Sequence, residues 1–141
     1  MQQARSGFAL ALMFWLAMAG AIAQAADAGK PSLFINLTAV DPHRVEMALN
    51  FGEAAANQGH GVTVFLNIDA VRIAEKDNPM FEKSRSHLER AMKAGATVIA
   101  CPHCLHYAGL QASGLVSGVK EGRPELTMGA LFAPDTRVMS W

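Results

Sequence analysis

The sequence predicts an α/β protein, a three-layer α/β/α sandwich around a parallel sheet of about five strands. Three observations predict it. Four apolar runs, at 32–38, 61–67, 96–101 and 137–141, are near-continuous rather than alternating, as strands covered on both faces are. Segments with helical spacing of apolar residues lie between the runs, the pattern of a parallel sheet crossed by helices. The length of 141 residues allows one domain and leaves little room for a second.

The elements follow in order. After the first run, Asp41 can cap a helix with Pro42 at its first position. Val45, Leu49, Gly52 and Ala56 line one face of that helix, and Met47, Phe51 and Ala54 line a second. Packing on a sheet uses one face. The spare face is either a subunit interface or a broad core contact. Gly59 and Gly61 end the helix before the second run. A second helix runs from about 79 to 94, with Phe81, Leu88 and Met92 inward and Gly95 as its stop. Pro102 opens a short third helix that Gly109 ends. A short strand is expected near 117–120 and a last helix near 124–132, closed by Ala133-Pro134. Crossovers should be right-handed.

Residues 1–25 read as an address rather than as part of the fold. Arg5 gives a positive start, residues 8–23 are apolar apart from Gly20, and Ala23-Gln24-Ala25 supplies the small-x-small exit of a secretory signal. Sixteen residues are short of the ~20 that span a bilayer. The expected protein is therefore one domain over 26–141, periplasmic or secreted, with membrane contact only during export.

The 12 Lys+Arg balance 12 Asp+Glu, which removes the case for a nucleic-acid partner held by a basic surface. A chain 51% hydrophobic and 17% charged is not disordered. A domain of this size needs no disulfide or metal to hold its core, which leaves its two cysteines free for chemistry.

Both cysteines fall in Cys101-Pro102-His103-Cys104-Leu105-His106-Tyr107. Cys101 ends a strand and Pro102 opens a helix. In open α/β sheets reactive groups gather outside the carboxyl ends of strands. A thiol at a helix N-terminus meets free N–H groups and the positive end of the dipole, so the pKa of Cys101 should fall and make it the nucleophile. Cys104, one turn on, can resolve a mixed disulfide or persulfide, and His103 could add positive charge. Four uses compete. A structural disulfide across so short a loop saves little entropy. Metal binding would draw on Cys101, Cys104 and His106 as Cu(I) or Zn(II) ligands. Haem attachment needs Cys-x-x-Cys-His and fails at Leu105, and no cofactor is expected. Thiol redox or sulfur transfer is the use the pattern favours. The tetrapeptide is also that of DsbA-type thiol oxidases, but the 37 residues after Cys104 cannot supply the rest of a thioredoxin fold.

Residues 32–141 resemble the DsrE/DsrF family, which includes the TusD-type sulfur-relay proteins. The likeness rests on the opening strand, the helix ending in Gln58-Gly59-His60-Gly61, and the strand leading to Ile68-Asp69-Ala70-Val71. It rests also on Gly95-Ala96-Thr97-Val98-Ile99-Ala100-Cys101, on Gly109-Leu110 and Gly118-Val119, and on the closing segments at 126–131 and 135–138. The resemblance implies an α/β/α sandwich, a homo-oligomer (trimer or hexamer), and a sulfur-carrying role for Cys101. It implies a sulfur donor and acceptor, or a thiol partner, that the sequence does not name. Export departs from the family's cytoplasmic relay members.

Thr38, Asn67 and Asp69 should lie at the carboxyl ends of the first two strands and line the pocket that Cys101 faces. Asn67 could donate to a bound anion such as thiosulfate. The simpler use of all three is to cap loops and turns. His43, His60 and His87 are expected at the surface and Tyr107 in packing. Met47, Met80, Met92, Met128 and Met139 are expected as core filler.

Overall fold

The computed structural model describes residues 29–141. The expected secretory signal lies outside the described residues. Five strands form one sheet: β1 (Leu33–Leu37), β2 (Val62–Leu66), β3 (Thr97–Ala100), β4 (Lys120–Glu121) and β5 (Arg137–Ser140). All neighbours are parallel, in the order β4-β3-β2-β1-β5. The short fourth strand sits at the end of the expected segment rather than within it.

Helix α1 (Pro42–Asn57) starts where the sequence predicts. Asp41 accepts the Arg44 N–H at 2.9 Å and Pro42 occupies the first turn. Its inward face, Val45, Ala48, Leu49 and Gly52, lies on β1 and β2. Gly52 is where the helix comes closest, because a Cβ there would stand 2.9 Å from Ile35 Cδ1. Helix α2 (Glu82–Lys93) follows a 3-10 turn at Pro79–Phe81 and packs along α1. The core is the face of Leu33, Ile35, Leu37, Val62, Val64, Leu66 and Val98 under these two helices.

A 3-10 segment, Ile68–Ala74, is an element that strand-and-helix patterning missed. It buries Ala70, Val71, Ile73 and Ala74. Helix α3 (Pro102–Ala108) packs against it and ends at Gly109, whose φ of 71° is the left-handed cap the sequence predicts. Helix α4 (Pro124–Leu131) joins β4 to β5 at the opposite edge. That connection reverses direction, and a right-handed crossover carries α4 over the second face. On that face Phe34 and Ile99 are buried, whereas Val138 on the edge strand is 53% exposed, and on and after α4 Met128 is 47% and Phe132 78% exposed. Among the described residues no helix is long and apolar enough to cross a membrane.

Three expectations are corrected here. His87 is buried, not at the surface, because the flank of α2 that carries it is covered by α1. Met47, Met80 and Met128 are exposed rather than core filler, whereas Met92 and Met139 pack on the core. Met47 belongs to the spare face of α1, where Phe51 is also half exposed, so that face is no core contact.

His87 Nδ1 lies 2.6 Å from Arg90 Nη2 and 3.1 Å from Asn50 Oδ1. Burial and the Arg90 guanidinium hold its pKa below the ordinary 6.5. The unfolded chain therefore binds this proton first. The stability from the neutral ring is complete above about pH 6.5 and is lost as pH falls through the lower folded value. His87→Gln should remove this acid step from a stability–pH curve measured with urea. Glu46, held below 4.5 chiefly by its bond to Lys83, gives a separate step at lower pH that the variant should keep.

Candidate functional site

The carboxyl ends of β2 and β3 form a ledge. Asn67 N–H donates to the Leu37 carbonyl at 2.9 Å, and Cys101 N–H donates to the Leu66 carbonyl at 2.9 Å. The two residues thus end adjacent strands side by side. Gly122 closes the other side of β3: its N–H donates to the Ala100 carbonyl at 2.8 Å, and a Cβ there would press on Pro102 Cδ at 3.2 Å. A small residue at 122 lets the start of α3 sit close to the sheet.

Cys101 caps α3, its sulfur accepting the Cys104 N–H at 3.4 Å. Cys104 stands one turn further on. Its Sγ accepts the Ile68 N–H at 3.1 Å and its S–H donates to Asn67 Oδ1 at 3.1 Å. Both cysteines are half-buried free thiols. Burial raises the pKa of Cys104 above the ordinary 9.0, and the neighbouring Cys101 adds to the rise; the Ile68 N–H opposes it.

Ile68 adopts φ 52°, a left-handed conformation that a β-branched side chain rarely takes. Strain of this kind costs about 1–3 kcal/mol and persists where surrounding contacts enforce it. Here Asn67 Oδ1 accepts the same N–H at 3.0 Å, and the twist aims that N–H at Cys104 Sγ. Because glycine tolerates this conformation, Ile68→Gly should be more stable than Ile68→Ala by about 1 kcal/mol in urea unfolding. The reverse order would mean that the conformation is relaxed.

Cys104 opens onto a cavity of about 300 Å³ lined by Ile68, Asp69, Arg72, His103, Tyr107 and Ala108. The expected residues separate at this point. Asn67 holds the Cys104 thiol, and Asp69 and His103 line the cavity. Cys101, whose sulfur accepts the Cys104 N–H, is not among the residues that line it. Thr38 is drawn elsewhere: its Oγ1 donates to the Trp141 carbonyl at 2.7 Å and ties β1 to β5. Tyr107 corrects another expectation. It is 80% exposed on the rim, its ring 5.0 Å from that of His103. Helix α3 packs mainly on the 3-10 segment, through its buried Leu105, and Tyr107 stands away from that contact. Sequence reasoning missed Ile68 and Arg72. The apolar spacing of Ala70, Val71, Ile73 and Ala74 was the available signal, since it turns Asp69 and Arg72 outward together. Among the described residues no three of His, Cys, Asp and Glu gather around a metal-sized point.

No curated protein sequence matches this chain. Several solved structures share the fold, among them the following three. The ychN protein from E. coli superposes with a TM-score of 0.67 at 19% identity, over 79% of this chain and 99% of its own. A conserved protein of unknown function, BT1422 from Bacteroides thetaiotaomicron, gives 0.64 at 17%, over 79% and 95%. MTH1491 from Methanobacterium thermoautotrophicum, also of unknown function, gives 0.60 at 13%, over 79% and 100%. At these identities the likeness is one of architecture. The family model described as DsrE/DsrF-like matches residues 31–128, most of the chain, and the protein belongs to that family.

Proposed function

We propose that this protein accepts sulfane sulfur, or exchanges disulfides, at the Cys101–Cys104 pair, with Cys104 as the thiol that meets the donor. The observation that carries the reading is the seat of Cys104 Sγ. It lies in a cavity wall, bonded by an N–H from a strained backbone and by Asn67. The roles of the two cysteines are thus exchanged relative to the expectation from strand position. Cys104 attacks, and Cys101, one helical turn away, resolves. Cys101 can displace a persulfide on Cys104 as hydrosulfide, leaving a Cys101–Cys104 disulfide that an external dithiol reduces. Asp69 and His103 serve as binding residues, and Thr38 serves the fold.

The same reading makes the protein an exported relative of the TusD-type relay proteins, cut after Ala25. N-terminal sequencing of the exported chain should begin at Ala26. It also makes the protein a homo-oligomer. Support comes from the exposed Met47 and Phe51 on α1, the exposed Val138, Met128 and Phe132, and, among the described residues, the buried Asn36 Oδ1 without a hydrogen-bond partner.

Mass spectrometry after polysulfide treatment tests the chemistry. Cys101→Ser should gain one sulfur on Cys104, wild type should pass through that persulfide to the Cys101–Cys104 disulfide, and Cys104→Ser should gain none. Sulfur loading that survives in Cys104→Ser, or a Cys101–Cys104 disulfide that resists glutathione-like potentials, would overturn the reading.

A further inference from the structure

Asp69 and Arg72 face the same cavity as Cys104, three positions apart on the 3-10 segment. They do not pair with each other. Among the described residues neither side chain makes an ion pair or a hydrogen bond; the ion pairs present join Lys83 to Glu46 and Arg90 to Glu53. The cavity therefore offers a cation and an anion separately, together with one thiol. A ligand that carries only negative charge meets the Asp69 carboxylate, and one that carries only positive charge meets Arg72. A small zwitterion satisfies both. About 300 Å³ is at the lower end of ligand sites, which run from ~300 to 1,000 Å³, and so favours a molecule of amino-acid size.

We infer that the donor at this site is a free α-amino-acid persulfide, its carboxylate on Arg72, its ammonium on Asp69 and its terminal sulfur at Cys104. The inference rests on the sulfur-accepting reading above and names its substrate class. The step balances without an added oxidant or reductant. Cys104 thiolate attacks the terminal sulfur of R–S–SH. The donor S–S bond breaks, and its electron pair leaves on the inner sulfur, which takes the proton that Cys104 released. Cys104–SH and R–S–SH become Cys104–S–SH and R–SH. Tyr107 and His103, their rings tilted against each other with centroids 5.0 Å apart, stand at the rim of the cavity.

The experiment compares three persulfides of similar size on the Cys101→Ser protein: those of cysteine, of 3-mercaptopropionate (no ammonium) and of cysteamine (no carboxylate). Sulfur on Cys104 is followed by mass spectrometry against time. Cysteine persulfide should load about tenfold faster than either analogue, the factor that ~1.4 kcal/mol supplies. Arg72→Gln should erase its lead over the cysteamine compound, and Asp69→Asn its lead over the mercaptopropionate compound. A second readout needs no sulfur transfer: S-methylcysteine should slow alkylation of Cys104, and should not do so in Arg72→Gln. Equal loading by all three persulfides, with no protection by S-methylcysteine, overturns the zwitterion site and leaves the sulfur-accepting function standing. Protection without any loading overturns that function and keeps the site as a binding pocket for small zwitterions.

Discussion

Alkylation of Cys104 in the Cys101→Ser protein should keep accelerating as pH rises from 7 to 9, with no plateau in that interval, because only the thiolate reacts. The serine hydroxyl can still accept the Cys104 N–H, so the turn is preserved. Burial favours the neutral thiol and puts the Cys104 pKa above 9.0. Below pH 9 the neutral thiol is then the major form, and the rate follows the growing thiolate fraction. A rate that levels off below pH 8 would show that the thiol is activated at rest. Asn67→Ala should shift the curve toward lower pH. The Asn67 carbonyl accepts the S–H at 3.1 Å, a bond only the neutral form makes, and its loss removes support for that form. A thiol kept neutral until a donor arrives is shielded from casual oxidation.

How much of this was legible follows from what each residue type can signal alone. The strands, the Asp41 cap and the Gly109 stop follow from period and local chemistry, and they stand where the sequence puts them. So does the ledge, since a run ending in Cys101 followed by Pro102 has one natural reading in a parallel sheet. The orientation of the two thiols was not legible. It depends on the left-handed twist at Ile68, and no sequence rule assigns that conformation to an isoleucine. The 3-10 segment at Ile68–Ala74 lacks the length for a helix signal and the alternation for a strand signal, so Arg72 stayed hidden within it. His87 was misread because burial of a histidine is decided by the neighbouring helix, not by its own. Thr38 was placed at the correct strand end, but its hydroxyl turned to β5, a strand order the sequence does not reveal.

Leu66→Ala should cost about 3 kcal/mol of stability and should also disturb the thiol site. Leu66 is fully buried at the end of β2, in register with Leu37 and Ala100. Deleting a buried leucine to its Cβ typically costs 2–5 kcal/mol, the upper part when the cavity cannot collapse. Strands on both sides fix this position, so collapse is limited. A loss of about 3 kcal/mol should lower the melting temperature by roughly 10 °C or more in a domain of this size and leave it folded at 25 °C. Leu88→Ala is the control. Leu88 is equally buried, but it lies on α2 and not on a strand of the ledge. Both variants should lose similar stability. Only Leu66→Ala should change the Cys104 alkylation rate at 25 °C, because the Leu66 carbonyl accepts the Cys101 N–H and the next residue is Asn67. Equal effects of the two variants on that rate would mean that the thiol pair senses global stability rather than the geometry of the strand end. The strained Ile68 N–H would then lose its claim to be a device for positioning sulfur.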